Sequence, residues 1–465
     1  MAASSKLHIV MFPWLAFGHI IPYFELSKCL AQTGHLISFI STPRIIDSLP
    51  TVPQDLNINL VKLTPPHVNA LPEDAQCTID VPVRDIHRIK KLLDGLDEPF
   101  STFLKDHPSV DWIVYDMFVY WAPGIADKFR IPSVFFCPSS AATLVFVGPP
   151  SAILSSDFPS LTAENLTVPP PWVPFPTTVA YRYHDAMHIV KGASGGDSGV
   201  TERYRLGITF QGCHVVAVRS SPEFEPEWMK LLGDIYQKPA FPVGLLSSSV
   251  HEINSCKNDT WVDQEWLDTQ KQGSTVYVAF GSELRLSKEY VHELAFGLEL
   301  SELPFFWAYR GDPCLLPDGF EDRTKCRGLI RTGWSPQARL LAHPSIGGFL
   351  MHGGWGSASE CLAFGKPLIM LPFIGDQGLN VRLLEEKKVG IEVDRNDTDG
   401  SFTRDAVTKC LKMVMVDDEG AGIRASAREM KSIFGSKEKQ DRYVEDFVNY
   451  LIEHRPKEGV RAPSD

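Results

Sequence analysis

The chain opens on a continuous apolar run, KLHIVMF at 6–12, that predicts a buried strand. The loop PWLAFGH follows, and apolar spacing from 20 to 33 predicts a helix, with Pro22 in its first turn and Gly34 as its stop. A second strand is predicted at 35–41. Strand, loop, helix, strand is how a parallel, doubly wound sheet begins. Polar, proline-rich sequence predicts loop over 51–83, and a helix with Lys and Asp on its wet face is predicted at 84–104. The apolar run DWIVY at 111–115 predicts another buried strand, ending at Asp116, with helical sequence after it. From 131 to 181 only Asp157 and Glu164 are charged, and prolines recur too often for long regular elements. That stretch is expected to form an apolar wall over a pocket. Strands predicted at 214–220 and 239–244 close a first domain of 1–244, and the polar stretch 245–260 is expected to be the linker.

A second domain is expected over 261–440. It begins with the helical WVDQEWLDTQ and the strand-like STVYVAFGS, then helical KEYVHELAFGLELS and the apolar runs FFWAYR and GLIRTGW. Beyond the stretch 334–377 come a helix at 380–388, a loop IEVDRNDTDGSFT capped by Thr403, and helices at 404–416 and 422–434. The segment 441–465 starts with a helical stripe of apolar residues at 444, 447, 448 and 451.

Candidate chemistry concentrates in 334–377. The strand-like IGGFLM leads into the glycine turn HGGWGS and the short helix SASECLAF, which Gly365 and Pro367 stop before the apolar run LIMLPF. This order points backbone N–H groups at a phosphate. His352, Ser357 and Ser359 add donors at the turn, and Glu360 is placed to accept the two hydroxyls of a ribose. Trp334 offers a flat face to a base, while Asp376 and Gln377 suit sugar hydroxyls. The ligand these parts describe is a nucleotide-sugar. In the first domain His19 sits at a strand's carboxyl edge and a helix N-terminus, where the dipole keeps an imidazole neutral and basic. Asp116, at another carboxyl edge, either caps the next helix or orients the His19 ring.

Composition narrows the partners. At 465 residues, 44% hydrophobic, the chain suits two or three domains with sizeable cores. Net charge −12 and a pI near 5.6 argue against nucleic acid or an anionic membrane, so any phosphate is held by local donors. No apolar run approaches the about 20 residues of a membrane helix. The opening MAASSKLHIVMF turns strand-like too soon for a signal peptide. Nine cysteines without a C-x-x-C pair read as reduced thiols. A cytoplasmic monomer is expected, in which the sequons at Asn165, Asn258 and Asn396 stay bare.

The box from Trp334 to Gln377 resembles, in length and spacing, the signature of plant UDP-dependent glycosyltransferases. Trp334, Pro336, Gln337, His343, Gly348, Phe349, His352, Gly354, Trp355, Ser357, Glu360, Gly365, Pro367, Pro372, Asp376 and Gln377 match it. Gly353 stands where cysteine is usual and Gly356 where asparagine is usual; glycine at 356 is similar to the branch that extends a sugar already in place. PWLAFGH, WIVYD and Gly281-Ser282 also match, so the resemblance covers nearly the whole chain. It implies the α/β fold called GT-B, with two Rossmann-like domains facing across a cleft and a C-terminal helix returning to the first. It also implies inverting transfer from a UDP-sugar, glucose first and rhamnose second, to a small-molecule hydroxyl, with no metal and no resident cofactor. His19 would be the base and Asp116 its partner. Ser282, His352, Ser357 and the helix N-terminus would hold the diphosphate, Trp334 the uracil, Gln337 and Glu360 the ribose. Trp355, Asp376 and Gln377 would hold the sugar, with Gly18, Ser335, Gly354 and Gly356 lining the donor side. The acceptor pocket is assigned to Phe118, Tyr120, Trp121, Ser139 and Phe146, and the acceptor to a flavonoid or terpenoid glycoside.

Other readings compete for some of these residues. Ser357-Ala-Ser-Glu360 is also a capping box, which needs no ligand. Gly192-Ala-Ser194-Gly-Gly196 matches the serine-hydrolase G-x-S-x-G, although no buried strand precedes it and loop sequence follows. Asp397-Thr-Asp399 is a D-x-D in a polar loop beside Asn396 and Gly400, expected to be turn chemistry rather than a metal site.

Overall fold

The computed structural model describes residues 6–156, 161–194, 198–246, 263–281, 283–333 and 335–456. Most of the expected linker, together with Ser282 and Trp334, lies outside these residues. The chain divides into two compact units, one of 1–160, 191–246 and 438–465 and the other of 161–190 and 247–437.

The first unit is built on seven parallel strands: β1 His8–Phe12, β2 Leu36–Ser41, β3 Ile58–Lys62, β4 Trp112–Tyr115, β5 Ser133–Cys137, β6 Val215–Val218 and β7 Ala240–Pro242. Their order is β3-β2-β1-β4-β5-β6-β7. β1, β4, β5 and β6 are buried along their whole length, which is why they read as continuous apolar runs. The strand order reverses between β1 and β4, whose registers match Met11 to Val114 and Phe12 to Tyr115. In sheets of this kind ligands bind past the carboxyl ends of the two strands at such a reversal. The helix Phe17–Gln32 starts three residues before the apolar spacing suggests, so Pro22 falls inside it rather than in its first turn. The helix Lys437–Glu453 belongs to this unit. Its Leu451 carbonyl accepts from Trp112 Nε1 at 3.0 Å, and Tyr450 packs on Phe241 at 4.8 Å between ring centroids.

The second unit holds six parallel strands: β8 Thr275–Ala279, β9 Phe305–Tyr309, β10 Gly328–Thr332, β11 Ile346–Met351, β12 Leu368–Met370 and β13 Gly390–Glu392. Their order, β10-β9-β8-β11-β12-β13, reverses between β8 and β11. Val276, Val278, Leu294, Trp307, Leu350, Ile369 and Leu411 form part of its core. Each buried aliphatic of this kind contributes about 1.5–3 kcal/mol, so this packing, more than strand propensity, holds the short strands in place.

Several elements depart from the sequence expectations. β3 and β13 lie where loop is predicted; both are edge strands, short or half-exposed, with no periodicity to announce them. β5 is a fully buried strand inside the proline-rich stretch. The predicted helix at 84–104 is two helices, Ile86–Asp94 and Asp97–Asp106, broken at Gly95. Residues 161–190, read from the sequence as part of the first domain, group with the second unit.

Candidate active site

In the first unit the reversal point joins two side chains that are 97 residues apart. His19 lies in the first turn of the helix that follows β1, and Asp116 immediately follows β4. His19 Nδ1 is 2.9 Å from Asp116 Oδ2. The carboxylate can only accept, so Nδ1 donates and the basic lone pair resides on Nε2. Asp116 is fully buried, while the His19 side chain keeps 22% exposure. Backbone N–H groups of Trp14 and Met117 also donate to Asp116, at 3.0 and 2.7 Å. These bonds occupy both carboxylate oxygens and fix the ring's direction. Asp116 does not cap the next helix, Ala122–Lys128, whose N-cap is Trp121.

The second unit repeats the device. Gly281 follows β8 and His352 follows β11, and the imidazole lies against bare backbone. A Cβ on Gly281, whose φ is +75°, would sit 2.9 Å from His352 Cε1; one on Gly354 would sit 2.5 Å from Nε2. Burial pushes the His352 pKa down to about 4 against the weaker upward pull of Asp376, so the ring is neutral at physiological pH. Among the described residues its buried Nδ1 has no hydrogen-bond partner, and neither has the buried Oγ of Ser335. An unmet buried polar group costs about 1–3 kcal/mol, which a nucleotide oxygen can relieve.

The helix Trp355–Ala363 starts at this point. Gly354 is its N-cap, with no side-chain cap and no acidic residue in the first turn, a setting that favours an anion. Because Ser357 lies inside the helix, the S-x-x-E capping box does not form. Gln337 Nε2 instead donates to Ser357 Oγ at 3.1 Å and to Glu360 Oε2 at 2.9 Å, gathering the ribose candidates into one cluster. Gly356 occupies the second helical position. Two expected ligand contacts turn inward. Ser359 is buried and donates to the Trp355 carbonyl, and the Trp355 ring, 3% exposed, packs in the core.

Asp376 and Gln377 stand at the head of the helix Gln377–Glu386. Gln377 Oε1 accepts from the N–H groups of Phe373 and Ile374 at 2.9 and 3.1 Å, which fixes the orientation of its amide. Asn380, which the sequence reading missed, donates to Asp376 Oδ2 at 3.1 Å and to the Gly353 carbonyl at 3.3 Å. Its i+4 spacing from Asp376 was the available signal. Gly353 has φ +84°, and a Cβ there would lie 2.6 Å from Val381 Cγ2, so this turn calls for glycine where the resembled pattern has cysteine.

Of the acceptor-pocket candidates, Phe118 sits beside the dyad. Its ring is 5.0 Å from that of Trp14, whose N–H binds Asp116. Lys90 Nζ lies 4.7 Å over the same ring and pairs with Glu202. Tyr120 packs against the Arg205 guanidinium at 4.8 Å. Trp121 faces Phe12 and Phe100 at 5.3 and 5.5 Å, on the core side. Ser139 and Phe146 are buried, and Gly18 is exposed at the second position of its helix. Ser194 ends the helix Tyr183–Ser194, so its G-x-S-x-G is not the strand-to-helix elbow a serine nucleophile requires.

A family model described as UDP-glucoronosyl and UDP-glucosyl transferase matches residues 228–421. UDP-glycosyltransferase 91D2 of Stevia rebaudiana is 46% identical over 455 residues, spanning 96% of this chain and 95% of its own. The chain belongs to the plant UDP-glycosyltransferases. The soyasaponin III rhamnosyltransferase of Glycine max is 41% identical over 461 residues, 97% of each chain. Among solved structures, Phytolacca americana UGT2, complexed with UDP-2fluoro-glucose and pterostilbene, is similar at TM-score 0.73 and 25% identity, covering 97% of this chain and 100% of that one. The two-unit α/β fold of this UDP-glycosyltransferase is GT-B, and its donor is a UDP-sugar. Among the described residues no helix is long and apolar enough to cross a membrane.

The glycosyltransferase's D-x-D is a turn. Asn396 Oδ1 accepts the N–H groups of Thr398 and Asp399 at 2.8 and 3.3 Å, and Asp399 Oδ1 accepts that of Ser401 at 2.9 Å. If the diphosphate is held by the neutral histidine and the helix N-terminus, as the sequence leads one to expect, turnover is undiminished in EDTA. Strict dependence on Mn²⁺ or Mg²⁺ would return the D-x-D to the active site.

Proposed function

We propose that this enzyme is an inverting glucosyltransferase that moves glucose from UDP-glucose to a sugar hydroxyl of a flavonoid or terpenoid glycoside. The observation that carries the reading is the 2.9 Å bond from His19 Nδ1 to buried Asp116, which leaves Nε2 as the base. Nε2 takes the acceptor's hydroxyl proton, and Asp116 balances the imidazolium that forms. The nascent alkoxide attacks the anomeric carbon on the face opposite UDP, and the C–O bond to UDP breaks as the new one forms, which inverts the centre. His352, Ser357, Ser282 and the first turn after Gly354 take up the charge developing on the leaving diphosphate. Trp334 stacks on uracil, Gln337 and Glu360 hold the ribose, and Asp376 and Gln377 hold the glucose.

Rhamnose is the second reading, because a relative 41% identical carries a rhamnosyltransferase's name. The two are separated by mass-spectrometric assay of UDP-glucose, UDP-rhamnose and UDP-galactose against a panel of plant glycosides. UDP-glucose is expected to lead in kcat/KM by about tenfold, the value of one well-placed hydrogen bond to a charged group. A lead of that size for UDP-rhamnose or UDP-galactose replaces the donor and leaves the dyad chemistry as it stands.

A further inference from the structure

Residues 161–190 precede β6 in the chain yet pack within the second unit, along the helix Gln377–Glu386. They grip that helix at both ends. Near its C-terminus, Glu386 Oε2 accepts from Thr177 Oγ1 at 2.8 Å and from the Thr178 N–H at 2.9 Å. Near its N-terminus, the Tyr181 hydroxyl donates to the Gly375 carbonyl at 3.1 Å. Gly378 permits the close approach: a Cβ there would lie 3.0 Å from Tyr181 Cδ1 and 3.2 Å from Asp185 Oδ2. Behind this contact the buried Arg395 binds Asp185 at 2.8 Å, Glu392 at 3.1 Å and the Pro372 carbonyl at 2.8 Å.

The loop 372–378 is thus held from outside at Pro372 and Gly375, and from inside by Gln377, which accepts from Phe373 and Ile374. Burial raises the Tyr181 pKa well above the usual phenol range, and Asp376 and Asp185 add to it, so the hydroxyl stays a donor.

We propose that Tyr181, backed by the Asp185–Arg395 pair, is a positioning residue that sets the pose of the donor sugar by clamping the loop that carries Asp376 and Gln377. The inference rests on the reading of those two residues as the sugar-holding pair. Uracil, ribose and diphosphate are assigned to other elements, so loosening this loop moves the sugar and spares the nucleotide. Sugar transfer is sensitive to such movement because a reacting centre displaced by about 1 Å can lose on the order of 10²-fold in rate.

The test is steady-state kinetics of the full chain with Tyr181→Phe, which removes only the hydroxyl, and Gly378→Ala, which pushes the clamp away. Tyr181→Phe is expected to lower kcat/KM for UDP-glucose about fivefold, the effect of one lost neutral hydrogen bond, and Gly378→Ala to lower it further. Preference for UDP-glucose over UDP-galactose should fall in step, while the Ki of UDP as product inhibitor stays within about twofold. A parallel weakening of UDP overturns the proposal, since the segment would then support the whole nucleotide site. Unchanged donor selectivity in both variants also overturns it. Gln377→Ala separates the two levels. If it leaves donor selectivity intact, the sugar-holding reading itself fails; if it abolishes selectivity while Tyr181→Phe and Gly378→Ala do not, only the positioning role fails.

Discussion

Replacing His19 with alanine is expected to lower kcat by about 10²–10⁴, the usual value of a positioned general base, while UDP binds almost as before. The asymmetry follows from where the residue acts. His19 serves the acceptor's hydroxyl, and the diphosphate is assigned to His352, Ser357 and the helix after Gly354. Loss of fold is not the explanation to expect, because the His19 side chain is 22% exposed in a first helical turn that alanine suits. Asp116→Asn should cost less than the histidine change but more than about tenfold. Asn keeps the shape and loses the charge that balances the imidazolium. It also sets an NH2 against one of the N–H donors from Trp14, Met117 or His19 that the carboxylate now receives. Measuring kcat together with the Ki of UDP checks both claims. Near-normal turnover in His19→Ala would end the base mechanism.

A glycoside is expected to be a better acceptor than its own aglycone by about 10²-fold or more in kcat/KM, since a site built to hydrogen-bond a sugar is left with unmet polar groups when that sugar is missing. Next to the dyad stands Phe118, a half-buried ring on which a sugar face can stack, with Trp14 at its edge. Lys90 Nζ lies over the same ring and pairs with Glu202, so charged donors and acceptors stand close to it. Gly356, in the first turn of the helix assigned to the diphosphate, adds no side chain where the resembled pattern has asparagine. The decisive comparison uses matched pairs, such as a flavonol and its 3-glucoside, with UDP-glucose held saturating. A consistent preference for the free aglycone would move the enzyme to another branch of its family and leave the dyad chemistry intact.

Much of this molecule was legible in one dimension, and the reason is burial. β1, β4, β8 and β11 lie in the interior of their sheets, so most positions along them are apolar or small and the run announces itself; His8 in β1 is a polar exception and finds Ser38 Oγ at 2.8 Å. Glycine at 281 and 354 and histidine at 352 could likewise be read as a phosphate turn, because a strand, a glycine turn and a helix start are local in sequence. His19 and Asp116 were placed separately, each at the carboxyl end of a recognisable strand.

What joins such residues is not local. The His19–Asp116 bond exists because β1 and β4 are neighbours at the reversal of strand order, which no window of sequence contains. Edge strands β3 and β13 were invisible because an edge is half-exposed or very short and imposes no apolar run. The inward turn of Ser359 and the Trp355 ring depended on the helix starting at 355, one register choice among several that the same letters allow. The grouping of 161–190 with the second unit is set by Tyr181, Asp185 and the two threonines finding partners near residues 375–395, about two hundred positions later. Sequence by itself determined the strand cores, the glycine turns and the chemical types of the site residues, because these are fixed by each residue's own burial and backbone geometry. Tertiary structure alone decided which of them meet, because a hydrogen bond between distant residues depends on how the elements pack.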